Sequence, residues 1–360
     1  MKVLIVFNHP APYKVAIFNE LAKYCDLTVI FERNKENNRP DDYYVNNDYH
    51  FNSITLTKGY IGNDGSYSSM VKKYIKKHHD EYDHIIMNGY SHLAEIKAIR
   101  YLKKHHINYS LFINGGVIKK ENKLKAKYKE SLIKGATFYM SPDKRSNQYL
   151  VRYGAEPNKI HNYPYSNLDD KDLLKGDIDK IAIRKKYNLP LDKKIFINAS
   201  QFIDRKNNIQ LLKEFLAHEE ILLLVGEGIQ KPLYEQFIRE NNMDNVIIMP
   251  FLKRDDLFEL MRGADAFITL AKEDIYGQTT LEALANGLPV ISSNNINSSL
   301  EYIVDGYNGY IVDLLDSKKI QESIASIDKI DKNNTVLSVK NITYQACGKR
   351  LYEILKSELK

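Results

Sequence analysis

Cysteine and long apolar runs are both scarce in this chain of 360 residues. Cys25 and Cys347 are the two cysteines, which predicts reduced structural thiols in a cytoplasm rather than a disulfide framework. No apolar run approaches the ~18 residues that a membrane-spanning helix needs, so none is expected. The apolar start is too short for a signal peptide and predicts a first strand. His78–His79 and His105–His106 are adjacent pairs without zinc spacing, so no metal site is expected.

The composition is otherwise that of a globular protein, with an uneven distribution of charge. Hydrophobic residues make up 43% of the chain, and the length predicts two domains. Residues 1–165 hold 26 Lys and Arg against 16 Asp and Glu, a balance of +10, and the remainder holds 26 against 30, a balance of −4. Basic residues concentrate in 70–79, 97–106 and 119–134. These segments predict either solvated helix faces or a surface for anionic lipid headgroups. Nucleic acid is a third interpretation, but no recognised motif supports it and no such partner is expected.

Short apolar runs alternate with helical periods in both halves, which predicts parallel, doubly wound α/β sheets. In the first half we predict strands over 3–7, 27–31, 54–56, 84–87, 110–113 and 137–140, and helices over 12–24, 67–79, 91–106, 123–134 and 143–153. In the second half we predict strands over 194–199, 221–225, 246–249 and 266–270, with helices over 208–216, 232–241, 254–263, 278–286 and 317–327. Residues 34–52 predict a loop, and the polar segment 164–180 predicts a connection between domains.

The segment from Ile268 to Ile291 is the most informative part of the chain. It predicts a strand, a loop, a helix and a second strand, with Gly277 at the sharp turn into the helix. The free amides of a helix N-terminus attract phosphate. Asp274 precedes the turn and Glu282 lies one turn into the helix, where carboxylates can accept hydrogen bonds from sugar hydroxyls. Such a turn can bind a molecule that is part diphosphate and part sugar.

This pattern resembles the signature of the family 4 retaining glycosyltransferases of GT-B fold, which is Glu, seven residues, Glu, a helix, a Gly and a Pro-Val-Ile strand. Here Asp274 takes the place of the first Glu, and the preceding Glu273 leaves open which of the two acids faces the sugar. The resemblance implies two Rossmann-like domains that face a cleft. It implies an acceptor-binding domain over 1–165, a nucleotide-sugar-binding domain over 178–342 and a last helix over about 343–360 that crosses back to the first domain.

The resemblance also assigns donor-side residues. Ser200–Lys206 matches the family's cationic diphosphate segment, with Lys206 on the family lysine, Gln201 in place of its arginine and Arg205 as a compensating cation. Asp274, Glu282, Lys206 and Arg205 are the implied catalytic residues. The other implied donor contacts are Gln201, Gly226, Glu227, Gly228, Phe251, Leu252, Glu273, Tyr276, Gly277, Gln278 and Thr279.

Acceptor-side residues are expected in the first domain. The segment Asn8–Lys14 stands where many relatives have a glycine-rich first loop. Pro12–Val15 and Phe18–Leu21 resemble the capsule, exopolysaccharide and O-antigen branch of the family, as does His161–Tyr165. Asn114, Gly115 and Gly116 follow a predicted strand at the edge where α/β sheets place ligands. The expected acceptor-side residues are His9, Tyr13, Asn114, Gly115, Gly116 and His161.

The resemblance implies a metal-independent hexosyltransferase that uses a UDP- or GDP-linked sugar and no cofactor. Its expected acceptor is a polyprenyl-diphosphate-linked saccharide, and its expected location is cytoplasmic, peripheral on an anionic inner face of the plasma membrane. Two alternatives remain: a nucleotide-sugar 2-epimerase of the same fold, and an inactive homologue that binds a nucleotide sugar or a membrane.

Overall fold

A computed structural model describes residues 1–35, 44, 48–56 and 68–359 of the chain. The chain divides into two compact units, Met1–Ser166 with Ile342–Lys360, and Asn167–Asn341. Each unit contains one parallel sheet with helices, which confirms the predicted α/β class and the two Rossmann-like domains. Most of the loop predicted over 34–52, and the predicted helix start at Tyr67, lie outside the described residues.

The first unit is built on a seven-stranded sheet. Its strands are β1 Lys2–Phe7, β2 Asp26–Phe31, β3 Asn52–Thr55, β4 His84–Asn88, β5 Tyr109–Phe112, β6 Tyr139–Ser141 and β7 Ile160–Asn162. They lie in the order β3-β2-β1-β4-β5-β6-β7 with parallel pairings. The continuous apolar run of β1 is buried on both faces, as expected for a central parallel strand. The strand order reverses between β1 and β4. Ligands are expected at the carboxyl ends of the strands next to this point, where acceptor-side residues are predicted.

Helices cover both faces of this sheet. They are α1 Pro12–Ala22, α2 Ser68–His78, α3 Leu93–Lys104, α4 Lys123–Ile133, α5 Lys144–Arg152 and α14 Tyr344–Glu358. Helices α2, α3, α4 and α5 share one buried cluster with Leu4 and Val6 of β1, so they lie on the same side. Phe7 points to the other side and meets Phe18 of α1 with 5.5 Å between ring centroids. Helix α14 packs against α1, where Tyr352 stacks on Tyr24 at 5.2 Å.

The second unit is built on a six-stranded sheet. Its strands are β8 Ile195–Ala199, β9 Ile221–Val225, β10 Val246–Met249, β11 Ala266–Thr269, β12 Val290–Ser293 and β13 Gly309–Val312, in the order β10-β9-β8-β11-β12-β13. Its helices are α6 Lys180–Lys186, α7 Asn208–Glu214, α8 Lys231–Glu240, α9 Arg254–Gly263, α10 Gln278–Ala285, α11 Asn297–Tyr302, α12 Ser317–Ser326 and α13 Lys332–Val339. All strand pairings are parallel, so every strand presents its carboxyl end to one edge.

Three short helices, α6, α11 and α13, were not predicted from the sequence. Each has six to eight residues, too few for a clear apolar period. Asp179 caps α6 and Asp331 caps α13 by accepting backbone N–H groups. Tertiary contacts then anchor α6, because Arg184 bonds to the carbonyl of Gly263 and to Asp265. The starts and ends of the predicted elements otherwise differ by few residues.

A helix that could cross a bilayer must be both long and apolar. Within residues 1–35, 44, 48–56 and 68–359, no helix meets both requirements.

Candidate active site

The candidate site lies at the carboxyl edge of the second sheet, where the strand order reverses between β8 and β11. Open α/β sheets bind ligands at such a point because the loops that leave the two strands turn to opposite faces and open a crevice. Residues 200–207 leave β8, and residues 270–277 leave β11. The two loops carry most of the residues that the sequence nominated for donor binding.

Backbone contacts fix the loop that follows β8. The amide of Phe202 donates to the carbonyl of Glu227 at 2.8 Å, and that of Gly226 donates to Met249 at 3.0 Å. A Cβ on Gly226 would overlap the carbonyl oxygen of Ser200, and one on Gly228 would lie 2.8 Å from backbone atoms of Phe202. The glycines therefore let the loops after β8 and β9 approach each other, a structural reason that adds to the predicted donor contact.

The turn after β11 opens the N-terminus of helix α10. Gly277 has φ +84°, a left-handed conformation that favours glycine, and its carbonyl accepts from Ser298 Oγ at 2.8 Å. No side chain of the described residues caps this helix start, and Gln278 and Thr279 are half-buried in its first turn. The backbone amides of the first turn have no partners within the helix, and they favour negative charge.

Lys206 and Asp274 meet across the reversal point. Lys206 Nζ donates to Asp274 Oδ2, and the two side chains are 13% and 18% exposed. Asn207 fastens the same two loops, because its side-chain amide donates to the carbonyl of Leu270 at 2.9 Å. The pair places a cation and a carboxylate beside the open helix N-terminus, which suits a diphosphate next to a hydroxylated group.

Arg205 and Glu273 lie beside this pair. The guanidinium of Arg205 donates to the backbone carbonyl of Glu273 at 3.4 Å. The side chain of Asp274, in contrast, contacts Lys206 directly. The structure thus brings Asp274 to the lysine, while Glu273 is engaged there through its backbone.

Glu282 is buried one turn into α10 and is held by residues that the sequence did not nominate. Asn167 Nδ2 and Arg254 Nη1 both donate to its Oε1, the latter at 3.1 Å. Arg254 Nη2 also donates to Asp172 Oδ2 at 2.6 Å. Burial raises the pKa of Glu282, and the guanidinium of Arg254 opposes that rise. No sequence signal pointed to Asn167 or Asp172, because both lie in the polar connecting segment.

Most of the second unit matches a known family of proteins. Residues 179–349 match the family described as glycosyl transferases group 1. The match covers most of the second unit and the first residues of α14. This match confirms the predicted resemblance.

Curated relatives align with part of this chain. N-acetyl-alpha-D-glucosaminyl L-malate synthase of Bacillus anthracis is 26% identical over 48% of this chain and 46% of its own length. The O-antigen biosynthesis glycosyltransferase WclY of Escherichia coli is 28% identical over 38% of each chain. The aligned region thus spans less than half the length of these relatives.

Solved structures share the fold over nearly the whole chain. Anabaena HepE in complex with UDP has a TM-score of 0.78 at 15% identity and covers 99% of this chain and 100% of its own. WaaG, a glycosyltransferase involved in lipopolysaccharide biosynthesis, has a TM-score of 0.61 at 16% identity and covers 99% of this chain and 98% of its own. These neighbours establish a GT-B fold for this chain.

The remaining donor-side residues differ in exposure. Phe251 is 75% exposed just after β10, so it is not a core residue and is available to a ligand. Leu252 beside it is half-buried, and Gln201 is exposed in the loop after β8. Tyr276 is buried, and its amide donates to Asp274 Oδ1 at 3.3 Å. Glu227 reaches outward to Lys231 at 2.9 Å. Their donor contacts stay predictions.

In the first unit, Asn114 lies with the other polar residues at the carboxyl edge of the sheet. Its side-chain amide donates to Asn88 Oδ1 at 3.2 Å. Gly115 has φ +144°, and the amide of Gly116 donates to Ser146 Oγ at 2.9 Å. Next to them in the sheet order, the ring nitrogen of His9 lies 3.1 Å from the hydroxyl of Tyr44.

Two other nominated acceptor-side residues have partners within the first unit. The hydroxyl of Tyr165 donates to that of Tyr13 at 2.9 Å. His161 lies on the edge strand β7, away from the reversal point, with Nε2 2.9 Å from Glu358 Oε1 of α14. This contact gives His161 a place in the packing of β7 against α14 beside its predicted role. The acceptor-side roles stay predictions.

Lys14 is the residue of this region that sequence reasoning missed. It is fully buried, and its ammonium lies 4.4 Å from the ring centroids of both Phe112 and Tyr165. Burial lowers the pKa of Lys14 to about 7. Aromatic faces stabilise a cation that lacks a hydrogen-bond acceptor. Sequence reasoning missed Lys14 because the aromatic residues that surround it, such as Phe112 and Tyr165, come from distant parts of the sequence.

One cluster in the first unit has the composition of a metal site. The donor atoms of Glu32, His92 and Glu95 lie within 4.8 Å of one another. Arg33 also lies 3.6 Å from Glu32, and Glu95 accepts the amide of His92 at 3.0 Å. The arginine already supplies positive charge to the cluster, and the sequence prediction of no metal site stays a prediction.

Proposed function

We propose that this protein is a retaining hexosyltransferase that moves a sugar from a nucleoside-diphosphate sugar, linked to UDP or GDP, to a saccharide acceptor. The observation that carries the proposal is the meeting of Lys206 and Asp274 beside the open N-terminus of α10, with Glu282 one turn further on. The UDP and UDP-glucose complexes of Anabaena HepE, which has the same fold, support a uridine donor.

Each residue has a defined part in the transfer. Lys206, Arg205 and the amides of Gln278 and Thr279 stabilise the diphosphate, so no divalent metal is required. Asp274 and Glu282 accept hydrogen bonds from donor hydroxyls. The bond between the anomeric carbon and the diphosphate oxygen breaks, and the acceptor hydroxyl oxygen attacks from the same face. The proton of that hydroxyl passes to the leaving diphosphate, and the protein contributes positioning and electrostatic stabilisation.

We further propose that the acceptor is a polyprenyl-diphosphate-linked saccharide and that the product enters a cell-surface polysaccharide such as capsule, exopolysaccharide or O-antigen. The relatives support this class: WclY is named for O-antigen biosynthesis, and another relative is the poly(glycerol-phosphate) alpha-glucosyltransferase of Bacillus subtilis. Such an acceptor requires a cytoplasmic enzyme that docks reversibly on the inner face of the plasma membrane.

The first unit supplies a suitable docking face. The three basic segments of the sequence are α2, α3 and the region around α4, and these helices lie on the same side of the sheet. Their outward lysines, such as Lys73, Lys97 and Lys127, are exposed. Each basic residue near an anionic surface contributes about 1 kcal/mol, so several together give reversible binding.

Apolar residues also lie between the lysines of α2 in the sequence. Two of them, Val71 and Ile75, are buried in the core of the unit and are not available to a membrane. The most exposed apolar side chain of this face lies in α4: Leu124 is 80% exposed, and Ile118 and Tyr128 are exposed beside neighbouring lysines. We therefore propose that α4 contacts the acyl boundary, while α2 contributes charge.

Vesicle cosedimentation tests the membrane proposal. We expect salt-sensitive binding to anionic vesicles, weakened by reversing Lys73, Lys76 and Lys77 to Glu and weakened further by Leu124→Asp. The matched control reverses three exposed lysines of the second unit, Lys185, Lys213 and Lys318, which changes the net charge equally. Equal losses in both triple variants would mean that net charge, rather than this face, governs binding.

A donor screen followed by product analysis tests the transferase proposal. A nucleotide sugar that binds the folded state raises its melting temperature, which identifies the donor. With that donor, we expect a glycosylated acceptor whose anomeric configuration is retained, and we expect Glu282→Ala to fold but lose most donor binding or turnover. An epimerised donor, or stabilisation without turnover, would reject the proposed transfer.

A further inference from the structure

Glu282 is held by side chains that are themselves fixed by further hydrogen bonds. The segment that connects the two units supplies Asn167 and Asp172, and α9 supplies Arg254. The backbone amide of Asp169 donates to Asp172 Oδ2 at 2.7 Å, so Asp172 is itself fixed. Arg254 therefore has one side anchored on the connecting segment and the other directed at α10.

The hydrogen bonds to Glu282 converge on one oxygen. Asn167 and Arg254 both donate to Oε1, whereas no hydrogen bond from the described residues reaches Oε2. A buried ion pair that served stability alone gains most when both carboxylate oxygens are satisfied. Here the second oxygen is left as an acceptor.

The charges of the group lead to the same conclusion. Arg254 already has a carboxylate partner in Asp172, at 2.6 Å. The three side chains Arg254, Asp172 and Glu282 thus carry a net charge of −1 when all are ionised. The cation does not cancel the charge of Glu282. It makes ionisation of a buried carboxylate possible and leaves one anionic acceptor for a ligand.

We propose that Arg254, anchored by Asp172, is a positioning residue for the donor site: it holds Glu282 by Oε1 and presents Oε2 to a donor hydroxyl. The inference rests on the proposed function, because it takes Glu282 as a donor contact. It adds residues that neither the sequence signature nor the family match nominates.

The proposal predicts a pH signature. Loss of Arg254 removes the guanidinium that opposes the raised pKa of Glu282, so donor binding should fail at a higher pH than in the wild type. Asp172→Asn removes a negative charge that contributes to the raised pKa, so the acid limit of binding should move to lower pH. If Arg254 and Asp172 only stabilised the fold, the two substitutions would not move the acid limit of donor binding in opposite directions.

The helices that pack against α10 carry other charged residues, which include Asp255, Asp256 and Glu259 of α9. Arg262 of α9 donates to Asn286, one turn beyond Glu282, at 2.8 Å. Helices α11 and α13, which also pack against α10, carry Glu301 and Lys332. None of these is altered in the test variants, so the change in pH dependence reports on the Arg254 and Asp172 contacts.

Calorimetric titration with UDP-glucose, or with GDP-mannose if the wild type binds only guanosine donors, tests the proposal across pH. The diphosphate of either probe has no proton that titrates near neutral pH. At neutral pH we expect Arg254→Ala to bind about ten- to hundredfold more weakly, the range for loss of a charge-assisted contact. Arg254→Lys keeps the charge but cannot bridge both carboxylates, and should fall in between. Arg239→Ala, which removes an exposed arginine from α8, is the matched control.

The outcomes separate the two proposals. If the wild type binds no nucleotide sugar, the proposed function fails. If the wild type binds but Arg254→Ala keeps the same affinity and the same acid limit, the positioning role is rejected. If Arg254→Ala does not fold, two other variants still decide: Arg254→Lys should bind the donor more weakly than the wild type, and Asp172→Asn should have a lower acid limit. Wild-type affinity in the first, or a wild-type acid limit in the second, rejects the positioning role.

Discussion

Asp274 and Lys206 form an ion pair, and we expect Asp274→Asn to have opposite effects on two ligands. The carboxylate competes with a diphosphate for Lys206, so its neutralisation should tighten the binding of UDP. The same change weakens an acceptor for a sugar hydroxyl, so the gain in affinity for UDP-glucose over UDP should fall and transfer should be lost. Lys206→Ala should weaken both ligands.

The burial of the Asp274–Lys206 pair sets the size of the expected change in UDP affinity. The side chains are 13% and 18% exposed, between a solvated pair and a buried one. Exposed pairs contribute about 0–1 kcal/mol, and breaking a buried pair costs about 3–5 kcal/mol. We therefore expect about 1–2 kcal/mol tighter binding of UDP by Asp274→Asn, a factor of roughly 5–30. Lys206→Ala should lose about 1.5–3 kcal/mol, the range for a charged hydrogen bond.

Titration of UDP and UDP-glucose into both variants and the wild type measures these effects. Asp204→Asn is the matched control, because Asp204 lies in the same loop and pairs with Lys272 at 2.7 Å but is 74% exposed. It should change UDP affinity little. If Asp274→Asn weakens UDP as much as Lys206→Ala does, the two residues act as one structural unit and the competition argument is refuted.

Three further predictions follow from the fold and from the family. Gly277→Ala should destabilise the protein by about 2–5 kcal/mol, because a left-handed alanine is strained and its Cβ would overlap Ile296; an unchanged denaturation midpoint would contradict this. Lys14→Met should remove part of the pH dependence of stability. Burial lowers the pKa of Lys14 to about 7 in the folded protein, whereas the ordinary pKa of lysine is 10.5. Between these two pH values the unfolded chain binds a proton that the folded protein does not, so wild-type stability should rise with pH through that window. Denaturant curves at about pH 6 and pH 9 should show that the wild type gains stability relative to Lys14→Met as the pH rises. A difference that does not depend on pH would contradict the lowered pKa of Lys14. Transfer should persist in excess chelator, since side chains and a helix terminus neutralise the diphosphate; loss of activity that Mg²⁺ or Mn²⁺ restores would contradict metal independence.

Local chemistry allowed much of the architecture to be predicted. The apolar runs of β1 and β9 are buried parallel strands because only such strands are apolar on both faces. The turn at Gly277 and the helix after it were predictable because backbone preferences depend on adjacent residues. The short helices α6, α11 and α13 were not, because tertiary anchors such as Arg184 decide them.

The sequence by itself determined most of the strands and longer helices, the sharp turn at Gly277 and the acid pattern of Asp274 and Glu282, since all of these depend on neighbours in the chain. Tertiary structure decided which of these residues meet. Lys206 reaches Asp274, 68 residues away, because β8 and β11 are adjacent in the sheet. It also decided that Arg254 supports Glu282 and that Leu124, rather than Val71, reaches the surface. The register of a sheet and the packing of helices on it bring distant segments together, and no local pattern encodes those pairings.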